Sequence, residues 1–360
     1  MKLLARFILP ISLVLLLASA PARAEYDPVA SGSVQLVLAK SFAAVLAKQH
    51  VKIQPEGGAR RKGGAIRLAA TGGEVEPQLG LGTVEATGAI VFTVGNRKMP
   101  LRKIVFKSKR APLYAKVGGG QLKIATGARL SVARSGFATR FTAADLHLTA
   151  KVATRLNKKL RLDMPLSAGQ KIGKLVITAA PATVHLQQGS RMHLSVNPAF
   201  FSKLNQLFVS LNPIAPAELA PGPDLSFPVG EGSILAPDGR AGVVKLEGSV
   251  ELLQLGNAQM FWRELWFEPD QSTLLSEVDV EPAPPYGGKQ PQAPFFGLAG
   301  DGSVESDPGA RKISFAGKSL TLSAAAAAAL NDAFAKGTPT FATGEPVGTV
   351  SLAAQELFSR

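Results

Sequence analysis

The sequence predicts an all-β protein of two tandem antiparallel β-sandwich domains, each with two short helices, and three observations carry that expectation. Short apolar stretches rich in Val, Ile, Thr and Phe alternate with polar residues, the pattern of half-buried strands. Glycine (36 residues) and proline (25) supply turns between them, while Trp (2) and Tyr (3) are scarce. The chain also repeats itself. Leu146, Leu148, Thr149, Ala150, Ala153, Leu156 and Asn157 recur as Leu320, Leu322, Ser323, Ala324, Ala327, Leu330 and Asn331, at a constant offset of 174.

A second echo sets the start of the unit. Leu36, Phe42, Leu46, Val51 and Pro55 match Leu194, Phe200, Leu204, Val209 and Pro213 at an offset of 158. Residues 1–24 read as a secretory signal: Lys2 and Arg6 precede an apolar run, and Ala22-Arg23-Ala24 is a small-x-small cleavage site. A secreted, extracellular or cell-surface protein cleaved near Ala24 is expected. The remainder divides into a basic domain, 25–187, and an acidic domain, 188–360. With no cysteine at all, neither domain can use a disulfide, and each must be stabilised by burial.

Within the first domain, strands are expected at 66–69, 84–94, 101–106, 113–117, 122–125, 130–133 and 174–178. Gly118-Gly119-Gly120 lies between two of these and reads as a hairpin turn. Helical spacing appears at 39–48 and 150–160, the second after Thr149, which is placed to cap its first turn. The second domain marks its helices more clearly: Asn197 precedes Pro198, and Ser323 precedes six alanines and Leu330, with a stop near Gly337. Between the helices the offset moves to 161, then jumps to 174. The second copy therefore carries 13 extra residues in or near a proline-rich segment at 281–296, expected as a surface loop.

The Leu-x-Leu-Ser-Ala…Ala-Leu-Asn motif, the order of elements and the closing Ala-Thr-Gly-Glu-Pro-Val-Gly-Thr-Val at 342–350 together resemble the HtaA-type domain of actinobacterial secreted and surface proteins, over two copies. The resemblance implies haem binding, through a tyrosine on the first short helix and a supporting histidine further along. Here the tyrosine positions hold Val45 and Lys203, and neither Gly95-Asn96 nor Gly256-Asn257 supplies the histidine. Tyr286, in the proline-rich segment, is the remaining candidate ligand for a haem-binding or haem-relay protein with non-standard ligands.

An enzyme is not expected. There is no Cys nucleophile, no His-x-x-x-His spacing and no phosphate-cradling glycine loop before a lysine. His50, His147 and His193 are matched by Phe208, Thr321 and Gln35 in the other copy, so they do not mark a shared site, and His147 reads as solvent-facing.

Charge separates the copies. Residues 25–187 hold 26 basic and 8 acidic residues, a net of +18; residues 188–360 hold 11 and 18, a net of −7. Lys103, Lys107 and Lys109 become Glu264, Glu268 and Asp270 at offset 161. Trp262 and Trp266 are expected on that acidic face as an apolar centre. Two roles follow: pairing of the two faces, within a chain or between chains, or contact of the basic domain with an anionic cell-envelope polymer or lipid headgroups. Nucleic acid is not expected, because the basic run 97–110 carries one aromatic, Phe106, and no stacking series.

Overall fold

Alternating side chains can line two packed layers or one sheet curled on itself, and here they do the second. The computed structural model describes residues 26–62, 64–77, 79–281, 290–299 and 302–357, so the expected signal segment and Tyr286 lie outside the described residues. The first unit runs β1 (Asp27–Leu38), α1 (Lys40–Lys48), β2 (Lys52–Glu56), β3 (Arg60–Lys62), β4 (Ala65–Val75), β5 (Gly82–Val94), β6 (Arg97–Lys107), β7 (Pro112–Val117), β8 (Gly120–Ser135), β9 (Ala138–Leu148), α2 (Ala150–Leu160) and β10 (Lys171–Pro181). Strands β5 to β10 pair in sequence, β10 pairs β1, β1 pairs β4, and β4 returns to β5. The result is a closed eight-stranded antiparallel barrel, which corrects the expected sandwich. Periodicity of two reports only which side chains face inward, and the closing β4–β5 pair leaves no mark on it.

The second unit runs β11 (Val184–His185), β12 (Arg191–Val196), α3 (Pro198–Gln206), β13 (Val209–Ile214), β14 (Glu218–Leu219), β15 (Leu225–Pro228), β16 (Ile234–Leu235), β17 (Gly242–Lys245), β18 (Ser249–Gln254), β19 (Ala258–Glu268), β20 (Thr273–Glu281), β21 (Gln290–Ala299), β22 (Ser303–Asp307), β23 (Lys312–Leu322), α4 (Ala324–Phe334) and β24 (Pro346–Gln355). Its sheet curls the same way, but β5 of the first copy is divided here into β17 and β18. The remaining edges meet at a single bridge, Val229 to Leu246, flanked by Gly230 N–H donating to Lys245 O and Glu247 N–H to Pro228 O, both 2.8 Å.

Local chemistry explains the helices. The Asn197 side chain accepts from the amides of Ala199 (2.8 Å) and Phe200 (3.3 Å), and the Ser323 hydroxyl accepts from Ala326 (3.1 Å). Thr149 does not cap α2; its hydroxyl instead donates to Lys123 O at 2.6 Å, tying the helix start to β8. Asn157 and Asn331, the matched asparagines of the repeat, each clamp the chain that follows their helix. Asn157 exchanges two hydrogen bonds with Leu166, and Asn331 accepts from Thr340 and Phe341 while donating to Phe341 O. Gly118 (φ 57°) and Gly119 (φ 96°) form the two-residue β7–β8 turn, with positive φ at both positions as that turn demands.

Both cores are apolar. In the second, Trp262 is 1 % exposed and packs edge-on against Phe296 at 5.0 Å between ring centres, with Phe295 at 6.0 Å. Residues 290–296 of the proline-rich segment are therefore not part of a surface loop: they belong to β21, and Phe295 and Phe296 are buried. Pro294 fits because it sits at a register shift of the β20–β21 pair, where a ladder donor can be missing.

The units meet at the β8–β9 turn. Phe137 from that turn packs with the core of the second unit, Arg134 bonds Glu356 at 2.5 Å, and His185 Nδ1 lies 3.0 Å from Asp27. Burial holds the Glu356 carboxyl above its usual range, although Arg134 and Arg311 pull the other way. A carboxyl raised in the folded state binds its proton more readily there than in the unfolded chain. Its contribution is thus present at low pH and is lost as pH climbs through the folded value. Glu356→Gln should flatten the fall of melting temperature just above the ordinary carboxylate range; an unchanged profile would remove Glu356 as its source.

Candidate anion-binding face

Within the curled sheet of the second unit, the space bounded by residues such as Met192, Trp262 and Phe296 amounts to about 10 Å³, too small for a ligand. Chemistry available to a partner lies outside. On the outer face of the first barrel, β6 and β7 set Arg102 directly opposite Lys116, and β3 and β4 set Arg60 directly opposite Arg67. All four are exposed, and none has a carboxylate partner among the described residues. Like charges facing each other across a ladder cost stability.

Other cations of this unit have structural work. Arg97 donates to Leu160 O at the end of α2 (3.1 Å), Arg134 joins the two units, and Lys171 binds Asp145, whose carboxyl it holds below the usual range. Lys103 and Lys107 belong with the unpaired set, as does Lys109 just beyond the end of β6; all three are exposed. Lys103 occupies a bulge with φ 47°, and the Lys107 ammonium lies over the Tyr114 ring at 5.4 Å. Close by, an open groove of ≈ 310 Å³ separates α1 from β2, with Ala43 and Ala47 on one wall and Lys52, Gln54 and Arg61 on the other.

The second unit answers each of these positions differently. Arg102 and Lys116 correspond, at offset 161, to Arg263 and Glu277, which face each other across β19 and β20; Arg263 also bonds Asp279 at 3.3 Å. The matched cross-strand pair is cation–cation in one copy and cation–carboxylate in the other. Likewise Arg60 and Arg67 fall where Glu218 pairs with Ser226, and Arg191 bonds both of those residues, at 2.7 Å each. Sequence reading missed the Arg102–Lys116 pair because strand register is needed to see it; applying offset 161 to Lys116 would have exposed the Glu277 counterpart.

Glu264 and Asp270 are exposed and Glu268 is half-buried, and no ion pair among the described residues joins them to Lys103, Lys107 or Lys109. Trp266 lies on the outer face, with Lys245 over its ring at 5.3 Å. Trp262 does not share that face. Glu264 sits at a bulge (φ 50°) matching that of Lys103, so the inward residues change from Met260 and Trp262 before it to Leu265 and Phe267 after it.

The positions implied for a haem tyrosine do not fit that group. Val45 is aliphatic and half-buried, and the Lys203 ammonium is held by Glu345 (2.8 Å) and donates to Thr340 O (3.0 Å). Among the described residues no cluster of three or more His, Asp or Glu is arranged to hold a metal ion, and no helix is long and apolar enough to cross a membrane.

No family model and no curated protein matches the chain. Solved structures similar to parts of it include two domains of one protein. The C-terminal domain of HtaA from Corynebacterium glutamicum is 17% identical, covering 42% of this chain and 98% of that domain with a TM-score of 0.33. The N-terminal domain of the same protein is 14% identical, covering 48% of this chain and 99% of that domain with a TM-score of 0.36. It is to the HtaA-type domain, in sequence motif and in these structures, that the chain is similar.

Proposed function

We propose that the protein is a secreted or surface-associated, non-catalytic binding protein whose first barrel holds anionic cell-envelope polymer on its outer cationic face. The observation that carries this reading is the Arg102–Lys116 pair, two unpaired cations held face to face where the matched pair of the second copy is Arg263–Glu277. At the matched position the second copy sets a carboxylate, not a second cation, opposite its arginine. Keeping two cations there costs folding stability, and an anion bridging them would return it. Lys103, Lys107 and Lys109 extend the same surface, and repeated anionic groups along a polymer suit a row of exposed cations better than a single small ligand does.

Co-sedimentation with isolated cell walls tests the reading. Binding should weaken steadily as salt is raised through and beyond the physiological range, because exposed charges are screened within about 8 Å at ~0.15 M. Binding that is indifferent to salt would contradict it.

A further inference from the structure

Phe208 breaks two local rules at once. It follows α3 at φ 54°, a conformation that suits glycine and strains a bulky side chain, and its ring is 86% exposed. Nothing in the packing explains it. The position itself requires the left-handed backbone, since the matched His50 of the first copy has φ 55°. Glycine would satisfy that geometry without cost, yet a phenylalanine stands there in water.

Its neighbour behaves alike. Val209 of β13 pairs with Gln254 of β18, and Phe208 and Leu255 are the residues just beyond that last pair, one in each adjoining turn. Leu255 is 85% exposed. In the first copy the corresponding residues are the polar His50 and the half-buried Val94. The tip that carries Phe208 and Leu255 is held in shape: Gln254 donates to Leu207 O at 2.6 Å, Phe208 N–H donates to Asn205 O at 3.0 Å, and Asn257 bonds Gln254. Both turns, 205–208 and 254–257, lack any charged residue, although the unit as a whole carries a net of −7.

We propose that this Phe208–Leu255 tip inserts into the hydrocarbon edge of a lipid bilayer and seats the second unit on a membrane surface. Two side chains on a protruding turn are far too little for a stable protein interface, which buries at least ~1,200 Å². They are enough to enter a lipid surface, where the uncharged amides of Asn205, Gln206 and Asn257 would lie at headgroup level and no carboxylate of the tip is dragged into low dielectric. The inference does not depend on the cationic face of the first barrel.

The test is flotation of the purified protein with phosphatidylcholine vesicles, which carry no net charge, at low and high salt. Binding should persist at high salt, and Phe208→Gly or Leu255→Ser should each reduce partitioning about tenfold or more. Phe208→Gly should melt no lower than the wild type, because glycine relieves the backbone, so lost binding cannot be ascribed to a damaged fold. Failure to bind these vesicles, or equal binding by both variants, would overturn the proposal. So would concentration-dependent self-association abolished by either variant, which would make a second copy the occupant, or saturable haemin binding abolished by either, which would make the tip a cofactor wall. Because the vesicles are neutral, their result stands apart from salt-sensitive binding to cell walls.

Discussion

Trp262→Ala is expected to destabilise the second unit by about 3–5 kcal/mol, the largest effect of any single substitution considered. The indole is 1 % exposed, packs against Phe295 and Phe296, and borders an enclosed space of only about 10 Å³. Removing it leaves a cavity that surrounding β-strands, fixed by their ladders, cannot close. Trp266→Ala provides the contrast. Its ring lies outside under Lys245, so its loss should cost only about 0.5–1 kcal/mol in cation–π attraction. Chemical denaturation of the two variants checks the pair: similar, small losses would mean that both tryptophans lie on the surface and that inward and outward do not exchange at Glu264.

That bulge shows how much of the fold the sequence reveals and where it falls silent. Helix starts were legible because caps are local chemistry: Asn197 before Pro198 and Ser323 before the alanine run both cap as expected. Thr149 satisfies the same rule on paper but makes no cap; its hydroxyl donates to the carbonyl of Lys123, a tertiary contact that local sequence does not announce. The Gly118-Gly119 turn was legible for the same local reason. Barrel closure was not, because the pairing of β4 with β5 changes no residue's inward or outward sense. Nor was the fate of Trp262. Lys103 and Glu264 adopt positive φ without being glycine, so nothing in the alternation announced that inward and outward exchange there.

The candidate face was half legible. Opposite net charges and the exchange of Lys103, Lys107 and Lys109 for Glu264, Glu268 and Asp270 can be read by counting. What counting cannot supply is which charges oppose one another. Register supplies it, and turns a general excess of cations into specific pairs: Arg102 with Lys116, Arg60 with Arg67. The same geometry also removes Arg97, Arg134 and Lys171 from the candidate surface by giving each a structural partner.

Replacing Lys103, Lys107, Lys109 and Lys116 together with glutamate has the largest expected effect on binding. It gives the first unit carboxylates at every position where the second has Glu264, Glu268, Asp270 and Glu277. Long-range attraction to a polyanion reverses sign over that face, and affinity should fall on the order of 100-fold or more at low salt. Folding should not suffer. The second copy carries carboxylates on the same scaffold, and Arg102 gains a partner in the new residue at 116, a cross-strand ion pair worth about 0.2–1 kcal/mol.

The most direct measurement of the central claim is therefore the affinity of this fourfold variant for a soluble phosphodiester polymer, set against wild type at low salt with melting temperatures recorded alongside. The structure predicts binding lost in a protein that melts at the same temperature or higher. Undiminished affinity in the folded variant would show that the cationic face of the first barrel is not what holds the polymer.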